Sequence, residues 1–390
     1  MTKTVQKSKA RDMTQGSIWK QLLLFSLPLM AGNLFQQLYN TVDSIVVGNF
    51  VGKEALAAVG SVGPIINSLI GFFMGLSTGA GVIISQYYGA KADEKVSRTV
   101  STTLVMTFFL SIVFTILGIF ITPYMLRMMS TPNDVIRESA TYLKIYFGGV
   151  AGLMFYNMGS GVLRAVGDSR HPLYFLIFSA VINTVLDLLF VGVLKLGVGS
   201  AALATIISQF ISALLCLRRL LRSPEEYRLV PSRIRFDPIM LKQIISNGLP
   251  AGLQNSIIAL ANVVVQSNIN SFGKMAVAGC GAYSKVEGFG FLPITCFSLA
   301  LTTFISQNLG AKQYDRAKRG ARFGILCSLL IAEGIGVITY VFSPVFIGAF
   351  CDSQAAIAFG VDKAHICALF FCLLAATHCL SAVLRGAGRA

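Results

Sequence analysis

Residues 84–91 read Ile84-Ser85-Gln86-Tyr87-Tyr88-Gly89-Ala90-Lys91, and residues 305–312 read Ile305-Ser306-Gln307-Asn308-Leu309-Gly310-Ala311-Lys312, the same pattern displaced by 221 positions. Val162-Leu163-Arg164-Ala165-Val166-Gly167 returns at the same displacement as Val383-Leu384-Arg385-Gly386-Ala387-Gly388. Leu27-Pro28 returns as Leu249-Pro250, displaced by 222. Three matches at nearly one offset across a 390-residue chain mark an internal duplication.

Between the repeated segments the chain is strongly apolar: 54% of residues are hydrophobic and 13% charged, where a soluble domain carries about 25% charged residues. Apolar runs recur at about the 20 residues a helix needs to cross a hydrocarbon core. They fall near 18–47, 55–87, 99–122, 141–162, 172–194, 197–217, 243–269, 276–306, 323–350 and 364–384. The run Gly71-Phe72-Phe73-Met74-Gly75-Leu76-Ser77-Thr78-Gly79 carries the small residues that let helix backbones approach in lipid. The expected fold is therefore an all-α membrane protein.

The displacement predicts how the spans are shared. Each repeat unit holds six, an even number, so both units enter the membrane from the same side and form parallel repeats. This gives a tail at 1–17, a first lobe of six helices at 18–217, a linker at 218–242 and a second lobe at 243–390. The second lobe stops just after Gly388 with four spans, so about ten are expected, the last two of a twelve-helix design being absent.

The net charge of +15 has a plain cause. Lys3, Lys7, Lys9 and Arg11, then Lys91, Lys95 and Arg98, then Arg218 to Lys242, then Lys312 to Arg322 all fall in alternate connections. That is the positive-inside pattern, which predicts a multi-pass protein of the plasma (inner) membrane with its N-terminus in the cytoplasm. No basic run is interleaved with aromatics as a nucleic-acid groove requires, so no nucleic-acid partner is expected. The first span is too long for the apolar core of a cleavable signal. The eight cysteines contain no C-x-x-C pair and read as helix-packing residues. No Walker-type G-x-x-x-x-G-K, metal-spaced histidines or Ser/His/Asp arrangement is present, so neither ATP hydrolysis nor another enzyme activity is expected.

Ionisable residues inside spans are costly and usually functional. Asp43 lies in Tyr39-Asn40-Thr41-Val42-Asp43-Ser44, and Asp187 follows Asn183 by four residues, on the same helix face. With Thr205 of the next span these groups could cage a dehydrated Na⁺, or a carboxyl among them could hold a proton. Helix–helix hydrogen bonding is the competing role for both aspartates. In the second half Glu287 and Glu333 are the span carboxylates, with Lys285 two residues from Glu287. Pro28 and Pro250 occupy equivalent positions, and each removes an i→i−4 hydrogen bond, so the pair reads as hinges or as fixed kinks.

Leu27-Pro28-Leu29 with Asp43, Ser85 to Lys91, Leu163-Arg164-Ala165-Val166-Gly167-Asp168 and Asn183-Thr184-Val185-Leu186-Asp187, with their second-half echoes, give the chain a combination that resembles the multidrug and toxic compound extrusion (MATE) family. The resemblance covers essentially the whole chain. It implies a V-shaped pair of six-helix lobes exchanging a cation, H⁺ or Na⁺, for a small organic substrate, with no other cofactor. It implies a cation site on Asp43, Asn183, Asp187 and Thr205, Tyr39 and Asn157 nearby in the substrate cavity, and Glu287 facing that cavity. Some sodium-coupled relatives carry an acid in the seventh helix, where this chain reads Gln254-Asn255-Ser256. A monomer in the bilayer suffices for such a design. The expected function is multidrug efflux by secondary antiport. The alternatives are a flippase for lipids or lipid-linked saccharides, for which only Lys285 and Lys144 offer cavity cations, and a non-transporting fragment.

Overall fold

The computed structural model describes residues 11–50, 53–129, 131, 135–223, 227–231, 234–351 and 353–389, without the side chains of 39, 40 and 42–61. In chain order the helices are α1 (Ile18–Phe50), α2 (Lys53–Gly89), α3 (Asp93–Met128), α4 (Ile136–Gly148), α5 (Val150–Ala165) and α6 (Arg170–Asp187). A π-helical segment, Leu188–Val193, prolongs α6 and leads to α7 (Val198–Arg222). The second half holds α8 (Pro238–Ser271), α9 (Lys274–Gly310), α10 (Tyr314–Gly348), α11 (Gln354–Ala368) and α12 (Phe371–Gly386). Among the described residues eight helices are long and apolar enough to cross a membrane, nine if the bent pair α11–α12 counts as one span.

Two expected spans are divided. The run at 141–162 breaks at Gly149, leaving α4 and α5 with 13 and 16 residues, each short of a full crossing. A Cβ at Gly149 would lie 2.2 Å from the Ile206 side chain, so α7 packs directly against the break. The run at 364–384 belongs to a pair bent by 53° between α11 and α12. Outward faces are apolar: Phe108, Phe109, Ile112, Ile116 and Phe120 of α3 are exposed, as a lipid-facing helix requires.

The duplication returns as paired geometry. Ser77 Oγ donates to the Asn157 carbonyl (2.8 Å) and Ser298 Oγ to the His378 carbonyl (3.0 Å). Ser85 donates to Ala165 O (2.9 Å) and Ser306 to Gly386 O (3.0 Å). Lys91 and Lys312 both close their turns at positive φ, 54° and 57°. Each pair differs by 221 positions at both ends, so α2 meets α5 as α9 meets α12.

The two repeats meet along α2 and α8. A Cβ at Gly75 would sit 2.2 Å from Gly252 N, and one at Gly79 would sit 2.2 Å from Gly248 Cα. Only hydrogen fits between backbones at that range. At the end of the bundle that carries residue 11 the contact is reciprocal. Gln86 Nε2 donates to Gly386 O (3.2 Å) and Gln307 Nε2 to Ala165 O (2.8 Å), each amide reaching the other repeat. A Cβ at Gly89 would lie 2.0 Å from Gln307 O, and one at Gly310 would lie 1.9 Å from Gln86 O.

The segment before α1 straps this end. Arg11 N–H donates to Gly167 O (3.3 Å) in the first repeat. Met13 N–H donates to Gln307 Oε1 (3.0 Å), and Asn308 Nδ2 to Met13 O (3.2 Å), in the second. Arg316 adds hydrogen bonds to the carbonyls of Met13, Gln15 and Gly16.

These contacts predict that Gly79→Val and Gly310→Val each destabilise the protein strongly, because backbone cannot yield as a side-chain tip can. Gly334→Ala, whose Cβ would meet open space, is the matched control. Thermal denaturation in detergent should show melting points lowered by several degrees for the two valine variants and unchanged for the control.

Candidate functional site

Two polar regions stand inside the bundle, one in each repeat. The first lies between α6 and α7. Asn183 and Asp187 are each 1% exposed, and Thr205 across from them is 7% exposed. With its amide in the orientation that satisfies both neighbours, Asn183 donates to Asp187 Oδ2 (2.8 Å) and accepts from Thr205 N–H (3.2 Å). The stripe continues one turn back, where Ser179 Oγ donates to Ser208 O (2.6 Å) and Ser208 Oγ donates to Thr205 O (2.8 Å). Thr205 Oγ1 donates to Ala201 O (3.0 Å), which leaves its lone pairs free to accept. Buried hydroxyls thus satisfy themselves on backbone carbonyls, and the amide is committed to the carboxylate.

Asp187 is the last residue of α6 before the π-helical segment. A π segment shifts backbone pairing from i−4 to i−5 and is frequent at functional sites. Here it places the carboxylate where the helix changes register. The structure thus brings together Asn183, Asp187 and Thr205 of the expected cation site. The fourth member, Asp43, and the nearby Tyr39 lie outside the residues whose side chains are described. Asn157 stands apart on α5, with its carbonyl taken by Ser77 and its Nδ2 donating to Leu153 O (2.9 Å).

The second region is a cavity of about 670 Å³ lined by α8, α9 and α12. Glu287 and Ser284 of α9, Gln254 and Asn262 of α8, and His378 and Arg385 of α12 supply its polar groups. Phe291 and His378 meet edge-on with ring centres 5.5 Å apart. Glu287 lines this cavity, and none of the ion pairs among the described residues includes it. Lys285, two positions away, points elsewhere and lies 5.6 Å over the Phe350 ring. Asn255 of α8 is drawn into the contact between repeats, its Nδ2 donating to Gly71 O (3.0 Å). Pro28 and Pro250 lie inside α1 and α8, Pro250 between the two glycines that touch α2.

The segment from Leu163 to Asp168 is structural. Gly167 turns the chain at φ 89°, and a Cβ there would meet Arg11 O at 2.1 Å. Asp168 is buried and accepts from the His171 N–H (3.1 Å) at the start of α6, with Arg219 3.8 Å away.

The MatE family model matches residues 28–189 and 250–390, one match in each repeat. This chain belongs to the MatE family. A probable multidrug resistance protein of Bacillus subtilis, YpnP, is 34% identical over 382 residues, covering 97% of this chain and 85% of that one. A second from the same organism, YoeA, is 32% identical and covers 95% and 82%. A protein named FAD transporter from Shewanella oneidensis is 29% identical and covers 77% and 68%. Among solved structures, an outward-facing multidrug resistance MATE family transporter aligns with a TM-score of 0.90 at 24% identity, over 98% of this chain and 85% of that one. That likeness concerns the fold. The MatE chain described here is thus a membrane transporter by family, and the expected resemblance holds.

The cluster around Asp187 predicts a stability cost for Asn183→Leu, which leaves a buried carboxylate without its amide donor. Such a loss costs about 1–3 kcal/mol, so the melting point in detergent should fall clearly below that of wild type. Ser179→Ala removes a donor but strands no charge, and should fall less.

Proposed function

We propose that this MatE protein is a secondary antiporter that exports amphipathic organic compounds, cationic ones among them, in exchange for H⁺ or Na⁺. The observation that carries the reading is the separation of two unlike polar regions. A buried carboxylate–amide pair backed by the Thr205 N–H in the first repeat suits a small cation, and an open cavity in the second suits an organic molecule. In this reading residues 18–217 and 243–390 are two lobes, of six helices and of four spans, joined by a linker at 218–242. Asp43 joins Asn183, Asp187 and Thr205 around the cation, and Tyr39, Asn157 and Glu287 line the substrate path. The protein works as a monomer in the plasma membrane with its N-terminus in the cytoplasm.

The strap and the crossed glutamines then close the cytoplasmic end, and substrate leaves toward the opposite side. Loading a cation on the Asp187 cluster neutralises a buried charge and changes how α6, its π segment and α7 pack. Pro28 and Pro250 supply the bends through which each lobe's first helix follows. The names of the matched relatives span drugs and one flavin dinucleotide, so the substrate is kept here at the level of amphipathic organic compounds.

Efflux of a cationic dye from cells expressing the protein tests this. Asp187→Asn and Asp43→Asn should each abolish energy-dependent efflux at normal membrane levels, and Glu287→Gln should weaken it for cationic dyes. In proteoliposomes the same two aspartate variants should fail to respond to whichever imposed gradient, Na⁺ or pH, drives the wild type. Undiminished efflux in both would rule out the first-repeat cation site.

A further inference from the structure

The least explained charge inside the bundle is Arg385. It lies on α12, two turns beyond His378, and lines the 670 Å³ cavity. Its Nε is buried and has no hydrogen-bond partner. The ion pairs among the described residues use Arg98, His171 and Arg219, and none reaches Arg385. A partly buried guanidinium without a counter-charge is costly, and the cost falls when an anion arrives.

Its repeat counterpart shows that this is a property of the position. Arg164, 221 residues earlier, is also outside every ion pair among the described residues, although α6 and α7 both follow it in its repeat. The two differ in the space before them. Arg164 faces a pocket of only about 20 Å³ among Ser77, Ser85, Thr302 and Ser306, room for a water molecule. Arg385 faces a space large enough for a drug-sized molecule.

The cavity is also polarised along its length. Glu287 stands one helical turn before Phe291, and Arg385 two turns after His378, with the two rings in contact between them. The hydrogen bonds from Ser298 to His378 O and from Ser306 to Gly386 O put Arg385 level with Ile305 of α9, so at 1.5 Å of rise per residue the Glu287 and Arg385 levels are roughly 27 Å apart. The position equivalent to Glu287 in the first repeat is Ile66, so the opposed charges are peculiar to the second repeat. A guanidinium fork matches a planar carboxylate with two parallel hydrogen bonds, and those bonds are strong because both partners are charged.

We propose that Arg385 is the anion-recognising residue of this cavity, so that the compounds bound best carry a carboxylate at one end and a cationic or apolar body toward Glu287. The proposal rests on the reading of this cavity as the substrate site.

The test compares a xanthene dye bearing a free benzoate with its methyl ester, by fluorescence polarisation on the purified chain in lipid nanodiscs. Wild type should bind the acid about tenfold tighter than the ester, the difference one charge-assisted pairing gives. Arg385→Gln should abolish the preference by weakening the acid about tenfold, with the ester little changed. Arg385→Lys, which keeps the charge and loses the fork, should retain part of it and controls for folding. Equal affinity of wild type for both dyes, or an Arg385→Gln variant that weakens both alike, would overturn the proposal. Phe291→Ala separates the two levels. If it leaves both affinities unchanged, the cavity is not the dye site and the underlying reading fails as well. If it weakens both dyes while wild type shows no acid preference, only the role of Arg385 falls.

Discussion

Backbone touching backbone between α2 and α8 is the constraint on which the rest of the bundle depends. Gly75 against Gly252 and Gly79 against Gly248 bring the two helices closer than any side chain would allow. In lipid, apolar side chains gain nothing from leaving one hydrocarbon surface for another, so association relies on close packing and hydrogen bonds. The glycine crossing supplies the packing. The hydrogen bonds are supplied by groups the crossing brings within reach, Asn255 to Gly71 O (3.0 Å) and Ser256 to Ser68 O (3.4 Å). Farther along, Gly89 and Gly310 let Gln86 and Gln307 exchange bonds between repeats. A residue type with no side chain thus determines where the polar side chains can work.

Many buried hydroxyls inside the bundle are satisfied by a backbone carbonyl. Thr99, Thr103 and Thr107 of α3 return their hydroxyls to the carbonyl four residues back. Serines of α2 and α9 instead reach across to α5 and α12, and those bonds tie each repeat together at matching positions. The Asp187 carboxylate accepts from an amide of its own helix, and the buried Arg385 Nε has no hydrogen-bond partner among the described residues.

The duplication, the apolar spans and the i, i+4 pairing of Asn183 with Asp187 were legible in the sequence because each is a matter of spacing along one chain. So was the glycine run from Gly71 to Gly79, although the partner it meets was not. The break at Gly149 and the π segment after Asp187 were not legible, because a 20-residue apolar run looks the same whether its helix is continuous, bent or re-registered. Ser179 and Ser208 extend the Asn183 stripe by one turn but carry no charge to draw notice. Arg385 was hidden for a different reason. It sits in a repeated segment close to a basic chain end, where a positive residue reads as topology until the cavity in front of it is seen.

The repeats share a scaffold and differ in what they hold, and that difference bears on how a two-part transporter can couple. Asn157 and His378 are equivalent positions held by equivalent serine bonds, yet one side chain is an amide bonded to its own helix and the other is an imidazole in an open cavity. Glu287 stands where the first repeat has Ile66, and Asp43 stands where the second has Val264. A charge change in one repeat can bias the other only through parts they share, and those are the α2–α8 crossing, the exchanged glutamines and the strap. The crossing is a direct contact between backbones, and the glutamines and the strap add hydrogen bonds from side chains to backbone carbonyls across the repeats. Small shifts at such contacts are passed on as movement of whole helices, since close-packed interfaces switch between arrangements and do not deform smoothly. The duplication therefore provides the joint, and the divergence of a few polar residues on either side of it provides the two ligands to be coupled.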